Sequence, residues 1–260
     1  MDRLVEIIAN KRHGLESTKA LVGMDQVRQE AQSRRRNAPA QALRHALSND
    51  GPNIIAEFKR RSPSKGVIRA NAQPIEVAES YERGGAAAIS VLTEEDFFAG
   101  SLADLRAVKA AVSVPVLRKD FIVDEYQIYE AAAAGADAVL LIVAALEDDQ
   151  LISLRELAET LGMDVLVEVH DTVELKLAVN TGAGLIGVNN RNLRTFQVSL
   201  ETSIELAAAA PKDAVLISES GLSSATDLQR LRSVGYRGFL IGESLMRAEN
   251  PEELLRSLLK

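Results

Sequence analysis

The chain has 260 residues, 47% of them hydrophobic, with a formal net charge of −7 and no cysteine. The acidic balance argues against nucleic-acid binding, which wants a basic face, and the missing thiols exclude disulfides, thiolate zinc sites and cysteine nucleophiles. Aromatics are only 4% and tryptophan is absent, so the core must be aliphatic, the usual filling of a parallel sheet covered by helices. Two of the histidines, His13 and His45, fall in the N-terminal stretch and the third is His170. That scatter argues against a multi-histidine metal site, and no metal is expected.

The first elements are helical. Leu4, Ile7 and Ile8 followed by Lys11 and Arg12 predict a helix with an apolar stripe and a basic end. Its charged start does not suit a signal peptide. Asp25 is the candidate cap of a second helix, and Pro39 the candidate start of a third that carries Leu43 and Leu47. Between them Arg34-Arg35-Arg36, the one basic run, reads as a solvated helix end. Asn49-Asp50-Gly51-Pro52 is a turn, so residues 1–50 are read as a helical extension packing on a main body of residues 51–260, a single domain overall.

Short β-branched runs then alternate with amphipathic ones. Strands are predicted at Ile54–Phe58, Ala88–Leu92, Val114–Arg118, Ala138–Ile142, Val165–Val169, Leu185–Asn189, Val215–Ser218 and Gly238–Ile241. Helices are predicted at Ile75–Arg83, Leu102–Ala111, Tyr126–Ala134, Asp148–Leu161 and Ala225–Val234, several closed by glycine. The longest apolar run, from Ala131 to Leu146, is broken by Asp137 and too short to span a bilayer. A soluble, cytoplasmic protein without membrane association is expected. About eight βα units on a chain of this length predict an α/β fold, a (β/α)8 TIM barrel with a helical N-terminal extension. An open doubly wound sheet is disfavoured because no GxGxxG follows the first strand.

In such barrels the active site forms at the C-terminal ends of the strands. The first strand ends in Glu57 and Lys59, which the two-residue period puts on one face. The third ends in Lys119, the fifth in Glu168, the sixth in Asn189 and Arg191, the seventh in Glu219 and Ser220, the eighth in Gly242 and Glu243. Lysines and glutamates converging on one rim either neutralise each other as structural ion pairs or serve as general acids and bases. Their recurrence at the functional end of most strands favours catalysis. The small residues Ser220, Gly221 and Gly242 precede helix N-termini, the common phosphate position in barrels. His170 shares the period of Glu168, and a supporting or loop role is the simpler account. Phe97 and Phe98 follow the second strand and read as a core plug or as a wall for an aromatic substrate.

Several segments in order resemble the indole-3-glycerol phosphate synthase family. They are Ile55-Ala56-Glu57-Phe58-Lys59-Arg60-Arg61-Ser62-Pro63-Ser64-Lys65-Gly66, Phe98-Ala99-Gly100-Ser101, Leu117-Arg118-Lys119-Asp120-Phe121, Leu166-Val167-Glu168-Val169-His170, Val188-Asn189-Asn190-Arg191-Asn192-Leu193, Ser218-Glu219-Ser220-Gly221 and Leu240-Ile241-Gly242-Glu243-Ser244. The match runs from the first strand to the last helix, and no family catalytic position carries the wrong residue type.

The resemblance implies closure of 1-(2-carboxyphenylamino)-1-deoxyribulose 5-phosphate to indole-3-glycerol phosphate with loss of CO2 and water, without a cofactor. By resemblance Lys119 is the general acid, Glu168 the base, and Lys59 a second acid or the carboxylate anchor. Glu57, Asn189 and Glu219 orient hydroxyls and the lysines. Ser220, Gly221, Gly242 and the backbone of Glu243 take the phosphate, and Ser62 and Arg191 also contact substrate. Phe98, Phe121, Leu140 and Leu193 wall the anthranilate ring, and the first helix lies over the mouth as a lid. The expected partner is that small phosphorylated molecule, with the chain a monomer or weak oligomer. Two rival readings stay open at this point: another phosphosugar isomerase or Schiff-base aldolase on the same barrel, and a non-catalytic barrel that binds a phosphorylated metabolite.

Overall fold

The computed structural model describes residues 3–192 and 195–260. Eight parallel strands close into a barrel in which each strand pairs with its neighbours in sequence and the first pairs with the last. They are β1 (Asn53–Phe58), β2 (Ala88–Leu92), β3 (Val116–Lys119), β4 (Ala138–Ile142), β5 (Asp164–Val169), β6 (Leu185–Asn189), β7 (Val215–Glu219) and β8 (Tyr236–Ile241). β3 starts two residues later than predicted because Pro115 has no N–H to donate to the ladder, although its carbonyl accepts from Ile89. A short hairpin, Arg61–Ser62 with Gly66–Val67, leaves the top of β1.

The two-residue period sorts the strands into an inner and an outer face. Ile55, Leu117, Leu140, Leu166, Leu185, Ile217 and Leu240 fill the barrel interior. Ile54, Phe58, Val116, Val139, Val167 and Ile186 face outward into the core shared with the helices. Continuing the inner series upward by two residues leads from Ile55 to Glu57, from Leu117 to Lys119, from Leu166 to Glu168 and from Ile217 to Glu219. The fold therefore stacks an apolar plug beneath a charged layer.

The N-terminal extension spans the barrel from mouth to base. Helix α1 (Arg3–Leu21) lies across the mouth, tied by Lys11 to Asp120 at 2.8 Å and by Lys19 to Asp124 at 2.7 Å. Helix α2 (Met24–Arg35) packs along the helix Glu125–Ala134, and α3 (Ala42–Ala46) inserts the fully buried Leu43 and Leu47 into the base of the barrel interior. Asp164, at the lower end of β5, accepts the N–H groups of Leu43 and Arg44. Two sequence expectations shift here. Gly23 rather than Asp25 precedes α2, and α3 begins after Gln41, whose φ of 54° breaks the chain, rather than at Pro39.

One expectation fails. Arg35 is not solvated: it is buried and donates to the carbonyls of Leu161, Gly162, Ala136 and Pro39. Carbonyls left without partners at helix and loop ends draw a five-donor guanidinium inward more strongly than water does.

Candidate active site

A cavity of about 630 Å3 opens at the upper end of the strands, beneath Arg3, Leu4 and Ile7 of α1. Its wall carries nearly every residue singled out from the sequence: Glu57, Lys59, Ser62, Phe98, Lys119, Phe121, Leu140, Glu168, Asn189, Arg191, Glu219, Ser220, Gly221, Gly242 and Glu243. Leu193 lies outside the described residues.

Lys119 sits at the centre. Its Nζ is 2.7 Å from Glu168 Oε2 and 3.1 Å from Glu219 Oε2. Burial disfavours its charge, but Glu168, Glu219 and Glu57 outweigh that and raise its pKa, so it stands protonated. Glu168 answers in the opposite direction. Burial would raise its pKa, yet Lys119 and His170 hold it well below the usual carboxylate range. Glu219 is pushed up to about 7, first by burial and then by Glu168 and Glu57, against the pull of Lys119. Of the two carboxylates in contact with the Lys119 ammonium, Glu219 has the longer contact and is the one whose pKa is raised.

Two glycines make room for this layer. A Cβ on Gly187 of β6 would collide with the Glu219 carboxylate, and one on Gly242 would collide with that of Glu57. Glu57 is buried and ion-pairs with Lys59 on the same face of the chain. Asn189 links the layers. Its amide donates to Glu168 Oε1 at 3.1 Å, while its carbonyl accepts from Ser220 Oγ and from the Arg191 backbone. Beside it, buried Asn190 donates to Ser218 Oγ and to the carbonyls of Glu219 and Ser220 and accepts from Ser203. Nothing in a single Asn-Asn-Arg run tells which asparagine faces the cavity; the strand period does.

At the ends of β7 and β8, Ser220 and Gly221 both adopt the left-handed conformation, at φ 67° and 80°. Gly242 caps the short helix Glu243–Arg247. The Glu243 carboxylate turns toward Lys65 and Arg247. On the opposite side Phe98 and Phe121 meet with ring centroids 6.1 Å apart. Glu94 shapes the loop under Phe98 by accepting the N–H groups of Asp96, Phe97 and Phe98. Phe97 does not line the cavity, and the Arg3 guanidinium lies 5.9 Å above its ring.

His170 takes a supporting place beside the cavity, and Asp120, which no sequence signal singled out, joins it. His170 stands between Glu168 and Glu174, and Asp120 ties Arg118, Thr93 and Lys11 together directly beside Lys119. Among the described residues no cluster of three or more His, Asp or Glu is arranged to hold a metal ion, and no helix is long and apolar enough to cross a membrane.

Fold and site together define a (β/α)8-barrel enzyme with buried lysine and glutamate side chains at the upper rim of its strands. Residues 4–258 match the family model described as indole-3-glycerol phosphate synthase. A curated relative named indole-3-glycerol phosphate synthase, from Bacteroides thetaiotaomicron, is 48% identical over 260 residues, covering 100% of this chain and 98% of its own. The chain belongs to the indole-3-glycerol phosphate synthase family, carboxy-lyases of tryptophan biosynthesis. Solved structures add the fold alone. KGPDC from Streptococcus mutans superimposes with a TM-score of 0.62 at 14% identity, over 80% of this chain and 96% of that one. Thiamine phosphate pyrophosphorylase from Pyrococcus furiosus gives 0.60 at 16% identity, over 83% and 95%.

Proposed function

We propose that Lys119, Glu168 and Lys59 carry the acid–base steps by which this chain converts 1-(2-carboxyphenylamino)-1-deoxyribulose 5-phosphate to indole-3-glycerol phosphate. An aromatic carbon is a weak nucleophile, so the ketone it attacks needs a proton on its oxygen. Lys119, held protonated, donates it as the new carbon–carbon bond forms. Departure of CO2 returns its electron pair to the ring and restores aromaticity. Lys59 then protonates the hydroxyl that leaves as water, and Glu168 takes the proton released from the five-membered ring. The observation that carries this reading is the 2.7 Å pair of Lys119 and Glu168 inside the cavity: an acid and a base within reach of one small substrate.

The remaining roles follow from position. Glu57, Asn189 and Glu219 orient the two lysines and the sugar hydroxyls. Ser220, Gly221, Gly242 and the Glu243 backbone receive the phosphate, with Arg191 and Ser62 at its edge. Phe98, Phe121 and Leu140 pack on the anthranilate ring, and α1 shields the mouth from water. The extension and the barrel act as one unit, since α1 and α3 close its two ends. A cytoplasmic location and a monomeric or weakly associating state fit a pathway enzyme whose cavity is built within one chain.

The order of the lysines is tested by separating CO2 release from indole formation. Lys59→Met should release CO2 while indole fluorescence lags, because only dehydration is stalled. Lys119→Met should release neither. Equal loss of both products in both variants would contradict the division of roles.

A further inference from the structure

His170 stands just outside the catalytic cavity. It lines a second chamber of about 830 Å3 under α1, which the catalytic cavity adjoins at Asn189 and Arg191. Its ring bridges two carboxylates: Nδ1 is 3.0 Å from Glu174 Oε2, and Nε2 is 3.3 Å from Glu168 Oε1, an ion-pair contact not aligned as a hydrogen bond. Glu174 also accepts the backbone N–H of His170 at 2.7 Å, which fixes where the ring sits. A ring nitrogen without a proton would present its lone pair to a carboxylate oxygen, so this placement on both sides calls for the imidazolium form.

From this geometry we infer that His170 is a positioning residue, a fixed cation that keeps the Glu168 carboxylate ionised and oriented throughout turnover. The inference rests on the proposed role of Glu168 as base. Its logic is that Glu168 has two cationic neighbours of different fates. Lys119 faces the substrate, and when it gives up its proton it no longer balances the charge of Glu168. His170 touches no reacting atom and keeps its proton. Asn189 supports the same Oε1 but carries no charge. The direction of titration agrees: burial disfavours the imidazolium, but Glu168 and Glu174 outweigh it and raise its pKa to about 10. Arg12 of α1, Asp171 and Arg191 line the same chamber and complete the charged surroundings.

The test is the pH dependence of kcat for the full chain and for His170→Gln, His170→Arg and Glu168→Gln, with His170→Asn standing in should the glutamine variant fail to fold. Loss of a cation at this distance should move the acid limb of His170→Gln upward by about one pH unit, a tenfold drop in turnover below the limb. KM should stay within about twofold, because the ring does not line the catalytic cavity. His170→Arg should return the limb toward its original position. An unmoved limb in the neutral variants, with Glu168→Gln inactive, would overturn the role of His170 alone. Ordinary turnover in Glu168→Gln would overturn the base assignment beneath it.

Discussion

The carboxylate of Glu219 occupies the space in which a Cβ at residue 187 would stand, so the charged layer around Lys119 exists only because β6 carries Gly187 there. Gly187→Ala should therefore displace Glu219 and, with it, the lysine it contacts at 3.1 Å. A misplacement of that order is expected to lower kcat about a hundredfold while the barrel still folds. Steady-state kinetics alongside circular dichroism checks this, and full activity would show the layer to be more yielding than its packing indicates.

Glu168→Gln keeps the shape of the side chain and its contact with Asn189 but removes the base. Turnover should fall by about 10²–10⁴, the usual worth of a general base, with product binding retained. Fluorescence titration with indole-3-glycerol phosphate separates the two effects. Unchanged turnover would reduce Glu168 to a structural ion pair.

Asp120 supplies a pH dependence of stability. Burial would raise its pKa, but Arg118 and Lys11 hold it at about 2, below the usual carboxylate range. A depressed carboxylate stabilises the fold above its unfolded pKa and loses that contribution as pH falls through the folded one. The unfolding free energy should thus decline between about pH 4 and pH 2, by about 2 kcal/mol from this group. Asp120→Asn should flatten that part of the curve in urea titrations run across the acid range. Because Lys11 of α1 is its partner, the variant should also expose the mouth of the barrel to faster amide exchange.

Arg35→Met tests the base of the barrel. The substitution leaves the carbonyls of Leu161, Gly162, Ala136 and Pro39 without their donor. A loss of about 2–4 kcal/mol is expected, or about 5–15 °C in Tm for a chain of this size. Activity at 25 °C should be retained, since the charged layer around Lys119 is at the other end of the strands. A large loss of turnover without a drop in Tm would contradict the separation of the two ends.

Most of the barrel is legible in the sequence because β-branched runs of five or six residues, followed by amphipathic stretches, leave few other ways to bury both faces of a strand. Ala88–Leu92, Ala138–Ile142 and Leu185–Asn189 form as predicted. The site is legible for the same reason: a two-residue period carries each apolar series directly into a charged residue, as from Leu166 to Glu168. What stays hidden depends on where the folded chain places each partner. Arg35 looks like one of three surface arginines until the carbonyls of residues 136, 161 and 162 are brought beneath it. His170 shows its period but not its second carboxylate, because Glu174 reaches it only when the helix Thr172–Asn180 begins immediately after the strand. The Gly187 signal is an absence of side chain, which acquires meaning only when Glu219 pairs beside it.

Lys119, as the acid that drives ring closure, is open to a simple kinetic test. The most direct measurement mixes purified protein, with EDTA and no added metal, with 1-(2-carboxyphenylamino)-1-deoxyribulose 5-phosphate and follows indole fluorescence for the native chain and for Lys119→Ala. A steady rise is expected for the native chain and almost none for the variant, which should still bind indole-3-glycerol phosphate. Ordinary turnover by Lys119→Ala, or a flat trace from the native chain despite tight substrate binding, would contradict that assignment.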